Sequence, residues 1–229
     1  MKQNLSTKTR TESDLIGSRE VPESALYGVQ TLRGIENFRI SKFHLNEYPL
    51  FIQALAITKM GAAVANRELD LLTEEQADAI LKACKEILEG KHHDQFPVDM
   101  IQGGAGTTTN MNANEVIANR ALELMGHQRG EYQYCSPNDH VNRSQSTNDA
   151  YPTAIHIGLY YTHLKLVKHF EVLIESFRKK ATEFAHVIKM GRTQLEDAVP
   201  MTLGQTFNGF ASILRHEVKN LDFAAQDFL

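Results

Sequence analysis

Residues Asp149 to Lys189 read DAYPTAIHIG-LYYTHLKLVK-HFEVLIESFR-KKATEFAHVI-K, and this stretch decides the fold. Gly158 is its only internal breaker, and Pro152 falls in the first turn, where a missing N–H costs nothing. Ile155, Leu159, Leu166, Phe170, Leu173, Phe177, Ala181, Phe184 and Ile188 recur at steps of three, four or seven, which predicts one uninterrupted helix. About 40 residues at 1.5 Å rise make a rod of roughly 60 Å. A compact globule of this chain length is only about 45 Å across. Such a helix needs partners outside its own globule. A second apolar set, Ile157, Tyr160, Leu164, Val167 and Ile174, widens the face to be covered, as in a helix bundle.

Working outward, Gly191 and Pro200 bracket a turn, and a further helix starts near Thr202. Leu203, Phe207, Phe210, Leu214, Val218, Leu221, Ala225 and Phe228 carry the 3–4 spacing to the last residue without a stop signal, which predicts the front part of a longer protein. Upstream, the first dozen residues are polar and read as a frayed tail, and Leu15 to Ser41 reads as turns with a short hairpin. Tyr48 to Leu69 is helical. Thr73 and Gln76 have capping-box spacing for the next helix, which Gly90 ends. A glycine-containing loop spans Gln102 to Thr109. Asn112 and Glu115 offer another capping box, for a helix closed by Gly126, and Glu131 to Asn142 reads as a loop. The expected architecture is mainly α. Residues 1–142 form an N-terminal helical domain with little β structure, and residues 143–229 supply the first long helices of a central bundle.

The 229 residues carry a formal charge of −4, with 42% hydrophobic and 23% charged residues, which excludes wholesale disorder. A mild negative charge gives no reason to expect nucleic acid or an anionic membrane as partner. The sequence has no apolar run long enough to span a bilayer and no secretion signal at its start. Cys84 and Cys135 form no CxxC pair, so a reducing, cytoplasmic setting is expected.

Three segments are dense in small hydroxyl and amide residues: Gly103–Asn112 (GGAGTTTNMN), Ser144–Asp149 (SQSTND) and Gly191–Gln194 (GRTQ). The first two lead into helices, whose N-termini offer unpaired N–H groups and partial positive charge. Each alone is an ordinary helix cap. Together they hold more hydroxyls than capping requires, and a neutral cradle for a carboxylate or phosphate follows. Competing motifs fail. There is no GxxxxGK[ST] loop and no GxGxxG after a strand. His92-His93-Asp94 lacks a second ligand cluster and reads as surface loop. His156, His163 and His169 read as bundle surface, and Asp139 and Asp149 read as capping groups.

These segments, in this order, resemble the front half of the aspartase/fumarase superfamily of lyases. Gly104–Asn119 is similar to its first signature region, and Ser136–Thr153 to the next. Gly191–Thr202 is similar to its turn between bundle helices. Gly17–Pro22, Tyr27-Gly28 and Thr31–Phe38 extend the likeness, which covers about Asp14 to Leu229. Thr31-Leu32-Arg33, Thr147 and Gln194 are similar to the branch that removes ammonia from L-aspartate. Fumarases carry Ser and His at the Thr147 and Gln194 positions, and His in a second anion site where Ser136 stands.

The resemblance implies a chemistry of anti elimination from a small dicarboxylate, giving fumarate through an enediolate, with no cofactor and no metal. It implies that Thr107, Ser146 and Thr147 are catalytic, the last two holding the carboxylate that becomes the enediolate. Asn148 and Thr107 would contact the amino group, Thr193 would reach the other carboxylate, and Arg33 and Gln194 would complete the substrate-binding set. It also implies a homotetramer whose bundles pack together, each active site drawing on three subunits. The family's general base, a serine in a Gly-Ser-Ser loop, belongs to the second half of such proteins, so residues 1–229 alone are expected to be inactive. Gln194 stands where many relatives have histidine, and Gln30 is more fumarase-like. Gln30 makes fumarate hydratase the runner-up reading, and the rival from another class is a non-catalytic bundle protein.

Overall fold

The computed structural model describes residues 8–228, and packing divides the chain into two compact units, Met1–Gly158 and Leu159–Leu229. The first unit opens with an antiparallel hairpin, β1 (Thr9–Asp14) and β2 (Gly17–Pro22), in register from Thr9 opposite Pro22 to Asp14 opposite Gly17. The frayed tail expected over the first dozen residues is corrected from Thr9 onward, where β1 begins, and its first seven residues lie outside those described. The expected hairpin exists but sits earlier in the chain. Its strands are polar, so no apolar alternation announces them. Arg10 holds the hairpin from below, donating to the carbonyls of Pro22, Ala25 and Tyr27 at 3.0, 2.7 and 2.8 Å.

A helix, α1 (Val29–Asn37), then stands where the sequence predicts only turns. Its cap residue, Gly28, brings no side chain to the helix end. Carboxylates distant in sequence do that work. Glu115 accepts the N–H groups of Gly28, Gln30 and Thr31 at 2.8, 2.8 and 3.0 Å, and Glu12 accepts that of Val29 at 3.0 Å. Only glycine fits at position 28, because a Cβ would collide with Glu12, Tyr132 and Glu115.

The next two helices follow the sequence closely. These are α2 (Pro49–Glu68) and α3 (Glu74–Leu88). The box at Thr73 forms in both directions: Thr73 Oγ1 accepts the Gln76 N–H and Gln76 Oε1 accepts the Thr73 N–H, each at 3.2 Å. Ile52 and Leu55 of α2 and Ile80 and Ile87 of α3 meet Phe96, Ile117 and Leu122 in the core of the first unit.

The fourth helix, α4 (Thr107–Leu124), corrects the reading of Asn112 and Glu115 as its capping box. It starts five residues before Asn112, and both residues lie buried in its interior. Nearly every side chain from Thr109 to Leu122 is buried, asparagines included, so α4 has no solvent face whose edge could be read from sequence. The expected loop over Glu131 to Asn142 contains one π-helical turn, Pro137–Val141, capped by Ser136 Oγ accepting the Asp139 N–H at 3.1 Å.

The long helix is present as α5 (Thr147–Glu183), which begins in the first unit and ends short of Lys189. In the second unit the expected turn at Gly191–Pro200 is a hairpin, β3 (Ile188–Thr193) and β4 (Glu196–Thr202), with a bulge between Met190 and Arg192. Ile188 and Lys189, read as the end of the helix, belong to β3. Helix α6 (Leu203–Ala225) follows, started by a two-way capping box between Thr202 and Gln205. Phe177 of α5 and Phe184, just past its end, pack on Phe207 of α6 at ring separations of 6.0 and 5.8 Å. Val172, Ile213 and Phe223 stay largely exposed on this unit, at 69, 61 and 75%. The fold is mainly α, and no helix of the described residues is long and apolar enough to cross a membrane.

Candidate functional site

The candidate site of the first unit lies where the N-termini of α4 and α5 converge. Asn110, in the first turns of α4, donates from Nδ2 to Oγ1 of Thr147, the first residue of α5, at 3.2 Å. Gly106, the cap residue of α4, packs against the Tyr151 ring so closely that a Cβ would fall within it, and its φ of +83° also favours glycine. Two independent constraints thus hold the Gly103–Thr107 loop against the first turns of α5.

The two helix ends differ in how their donors are used. Ser146 Oγ accepts the Asn148 N–H at 3.1 Å, so Ser146 caps α5 in the ordinary way. Gly106 has no side chain to offer α4, and Gln102 Oε1 instead takes the Thr109 N–H at 2.8 Å. Thr107, Ser146 and Asn148 are exposed, and Thr147 is half-buried. This is a surface of hydroxyls and helix-end N–H groups, suited to a carboxylate by charge and donor count.

Beneath it lies a residue that the sequence reading passed over. Lys59 of α2 is fully buried, at 0% exposure. Its Nζ donates to Asn110 Oδ1 at 2.7 Å and to Asn142 Oδ1 and Gln145 Oε1 at 2.9 Å each. Burial pulls its pKa down to about 7, with the neighbouring Cys84 acting the other way, while the three oxygens around Nζ match the three donors of the ammonium form. Burial also raises Cys84 to about 12, so that thiol is neutral. A signal was available: Ile52, Leu55, Ala56, Lys59, Ala63 and Asn66 share one helical face, and all are buried.

Other expected site residues fall elsewhere. Arg33 is engaged by Asp14 through two bonds of 2.8 and 2.9 Å and by the Gly17 carbonyl at 2.8 Å, so in this structure it pins the β1–β2 turn. The ion pair raises the pKa of Arg33 and lowers that of Asp14. A cavity of about 990 Å³ has Arg33, Thr108 and Ser136 in its walls, but not Thr107, Ser146 or Thr147. Its charged lining groups are already paired, Arg33 with Asp14 and Glu115 with the end of α1, so the converging helix ends are the better candidate for substrate chemistry. Thr193 and Gln194 belong to the second unit, where Thr193 pairs with Glu196 and Gln194 sits at the hairpin turn with a φ of +48°. His92 and His93 are tied to Glu86 and to the Ile87 carbonyl at 3.0 and 2.8 Å.

Helix ends joined over a hydroxyl-rich surface, on a mainly α scaffold, define a class. The chain belongs to the lyase family: that family's sequence profile, described as Lyase, matches residues 17–229. The particular relatives are narrower. The chain is 56% identical over 223 residues to the aspartate ammonia-lyase of Escherichia coli, covering 97% of this chain and 47% of that protein. It is 57% identical over 212 residues to the Helicobacter pylori aspartate ammonia-lyase, covering 93% and 45%. Among solved structures, the native fumarate lyase:delta crystallin from Brucella melitensis superposes with a TM-score of 0.93 at 51% identity, over 96% of this chain and 51% of that one. A class II fumarase from Schistosoma mansoni gives 0.82 at 38%, over 93% and 44%. The chain thus spans about half the length of the curated relatives it matches.

Proposed function

We propose that this chain is the front half of an aspartate ammonia-lyase, which removes ammonia from L-aspartate by anti elimination to give fumarate. The observation that carries the reading is the Asn110–Thr147 junction at the meeting of two helix N-termini. The identity of 56–57% to aspartate ammonia-lyases, against 38% to a fumarase, favours the amino substrate over the hydroxy one.

The chemistry follows from where charge builds. When a base takes the proton beside a carboxylate, negative charge spreads onto that carboxylate as an enediolate. Donors already aimed at it stabilise the transition state more than the ground state. Thr147 and the helix-end N–H groups around it supply such donors, with Ser146 and Thr107 on the same surface and Asn148 next along α5. Likeness to the lyase family, not a contact within this chain, puts Arg33, Thr193 and Gln194 in the substrate-binding set, and the base comes from polypeptide outside residues 1–229. Self-association to a homotetramer supplies the remaining walls of the site. The two free, buried cysteines fit a reducing cytoplasm.

The test compares fumarate formation from L-aspartate and from L-malate by the complete protein. A much faster reaction with malate overturns the assignment. In the same protein Thr147→Ala is expected to lower kcat by about a hundredfold or more, with a much smaller change in KM. An unchanged kcat returns Thr147 to a capping role.

A further inference from the structure

We propose that Lys59 is a positioning residue that sets the direction in which Thr147 donates its hydroxyl proton, acting through Asn110. This rests on the reading above, in which Thr147 donates to the substrate carboxylate.

The argument is one of hydrogen-bond polarity. A lysine ammonium has three donors and no acceptor, so each group it touches must present an oxygen. At 2.7 Å from Nζ, the side-chain oxygen of Asn110 faces Lys59. The amide nitrogen of Asn110 therefore faces the other way, and its two N–H groups go to Asn142 Oδ1 at 3.1 Å and Thr147 Oγ1 at 3.2 Å. Thr147 is the acceptor in that contact. Its single proton is turned away from Asn110 and left free to donate.

The same cation sorts the other two amides. Asn142 Oδ1 faces Lys59, which turns its Nδ2 to the Gln145 carbonyl at 3.0 Å. Gln145 Oε1 faces Lys59, which turns its Nε2 to the Val141 carbonyl at 2.9 Å. One buried charge thus fixes three amide orientations, and a flip of any one would set donor against donor. Chains of such bonds polarise one another, so the pull on Asn110 is passed to Thr147.

Packing alone does not call for a lysine here. A cation held only by neutral amides is costly to bury, and a methionine fills a similar volume without that cost. A neutral amine would not serve either, because three acceptor oxygens need three donors and an amine has two.

Asn110→Asp separates direction from scaffolding. The aspartate keeps an oxygen toward Lys59 and converts that contact to an ion pair, which offsets the N–H it no longer gives Asn142 Oδ1, an oxygen still held by Lys59 Nζ. It offers Thr147 no N–H, and the Thr147 proton turns inward to the carboxylate. The expected result for the complete protein is a kcat lowered by about a hundredfold, a KM within a few-fold, and a melting temperature no lower than that of the parent. Lys59→Met is expected to lower kcat similarly and to reduce stability as well. A stable Asn110→Asp variant with unchanged kcat overturns the proposal.

If the parent eliminates neither ammonia nor water from the two substrates, the functional reading fails rather than the relay. The relay is then decided by NMR on the present chain. Both side-chain amide protons of Asn110 are expected to exchange slowly, and to exchange fast in Lys59→Met. Fast exchange of both in the parent sinks it, and the same measurement decides should Asn110→Asp fail to fold.

Discussion

Replacing Glu115 by glutamine tests the claim that α1 exists because a distant carboxylate caps it. Oε2 accepts the N–H groups of Gly28 and Thr31, and Oε1 accepts that of Gln30. Glutamine keeps one oxygen and must place an NH2 at the other position. Two bonds fall from charge-assisted to neutral strength, about 1 kcal/mol each, and the Gln30 N–H is left against another N–H at about 1–3 kcal/mol. In the other direction, burial raises the Glu115 pKa despite these donors, and the neutral amide is cheaper to bury. The net loss is about 2–3 kcal/mol, which corresponds to an increase of roughly 30- to 150-fold in local opening. The assay is amide hydrogen exchange at Gly28, Gln30 and Thr31, with Thr73→Ala as a control that weakens α3 but leaves α1 protected. Unchanged protection at these three amides in a folded Glu115→Gln chain would falsify the capping argument.

Gly106→Ala meets both a left-handed backbone and the Tyr151 ring, so it should destabilise the first unit by about 3 kcal/mol or more, read by denaturant unfolding. The Glu86 pKa is held at about 2 by its bonds to Arg120, with His92 helping, well below the ordinary glutamate value of 4.5. Its folded pKa is depressed, so its contribution is present above about pH 4.5 and is lost as pH falls toward 2. Glu86→Gln should cost about 1–2 kcal/mol at neutral pH, after allowing for solvent screening, and almost nothing near pH 2; an equal cost at both pH values counts against the ion pair. Light scattering of the 229-residue chain at micromolar concentration should show self-association through the exposed apolar side chains of α5 and α6, and a clean 25.8 kDa monomer is the opposing result.

Helices α2, α3, α5 and α6 were legible because their signals are local. Apolar residues at 3–4 spacing mark a face, and Thr73 with Gln76 and Thr202 with Gln205 carry both halves of a cap within four residues. The hydroxyl-rich segments were legible for the same reason. By contrast, α1 was missed because its cap lies 84 to 87 residues away in Glu115. The start of α4 was missed because a helix buried on every side shows no polar edge, and its Asn112 and Glu115 only imitate a cap. Both hairpins were misplaced or missed because two-stranded polar ribbons show little apolar alternation, and Arg10 and Arg33 hold the first one by contacts that local order does not encode. Lys59 stood in plain view on an apolar face, yet its partners come from α4 and the loop before α5. Spacing along the chain reports which face of a helix is buried; only the folded chain decides which groups meet there, because a hydrogen bond depends on distance in space and not on distance in sequence.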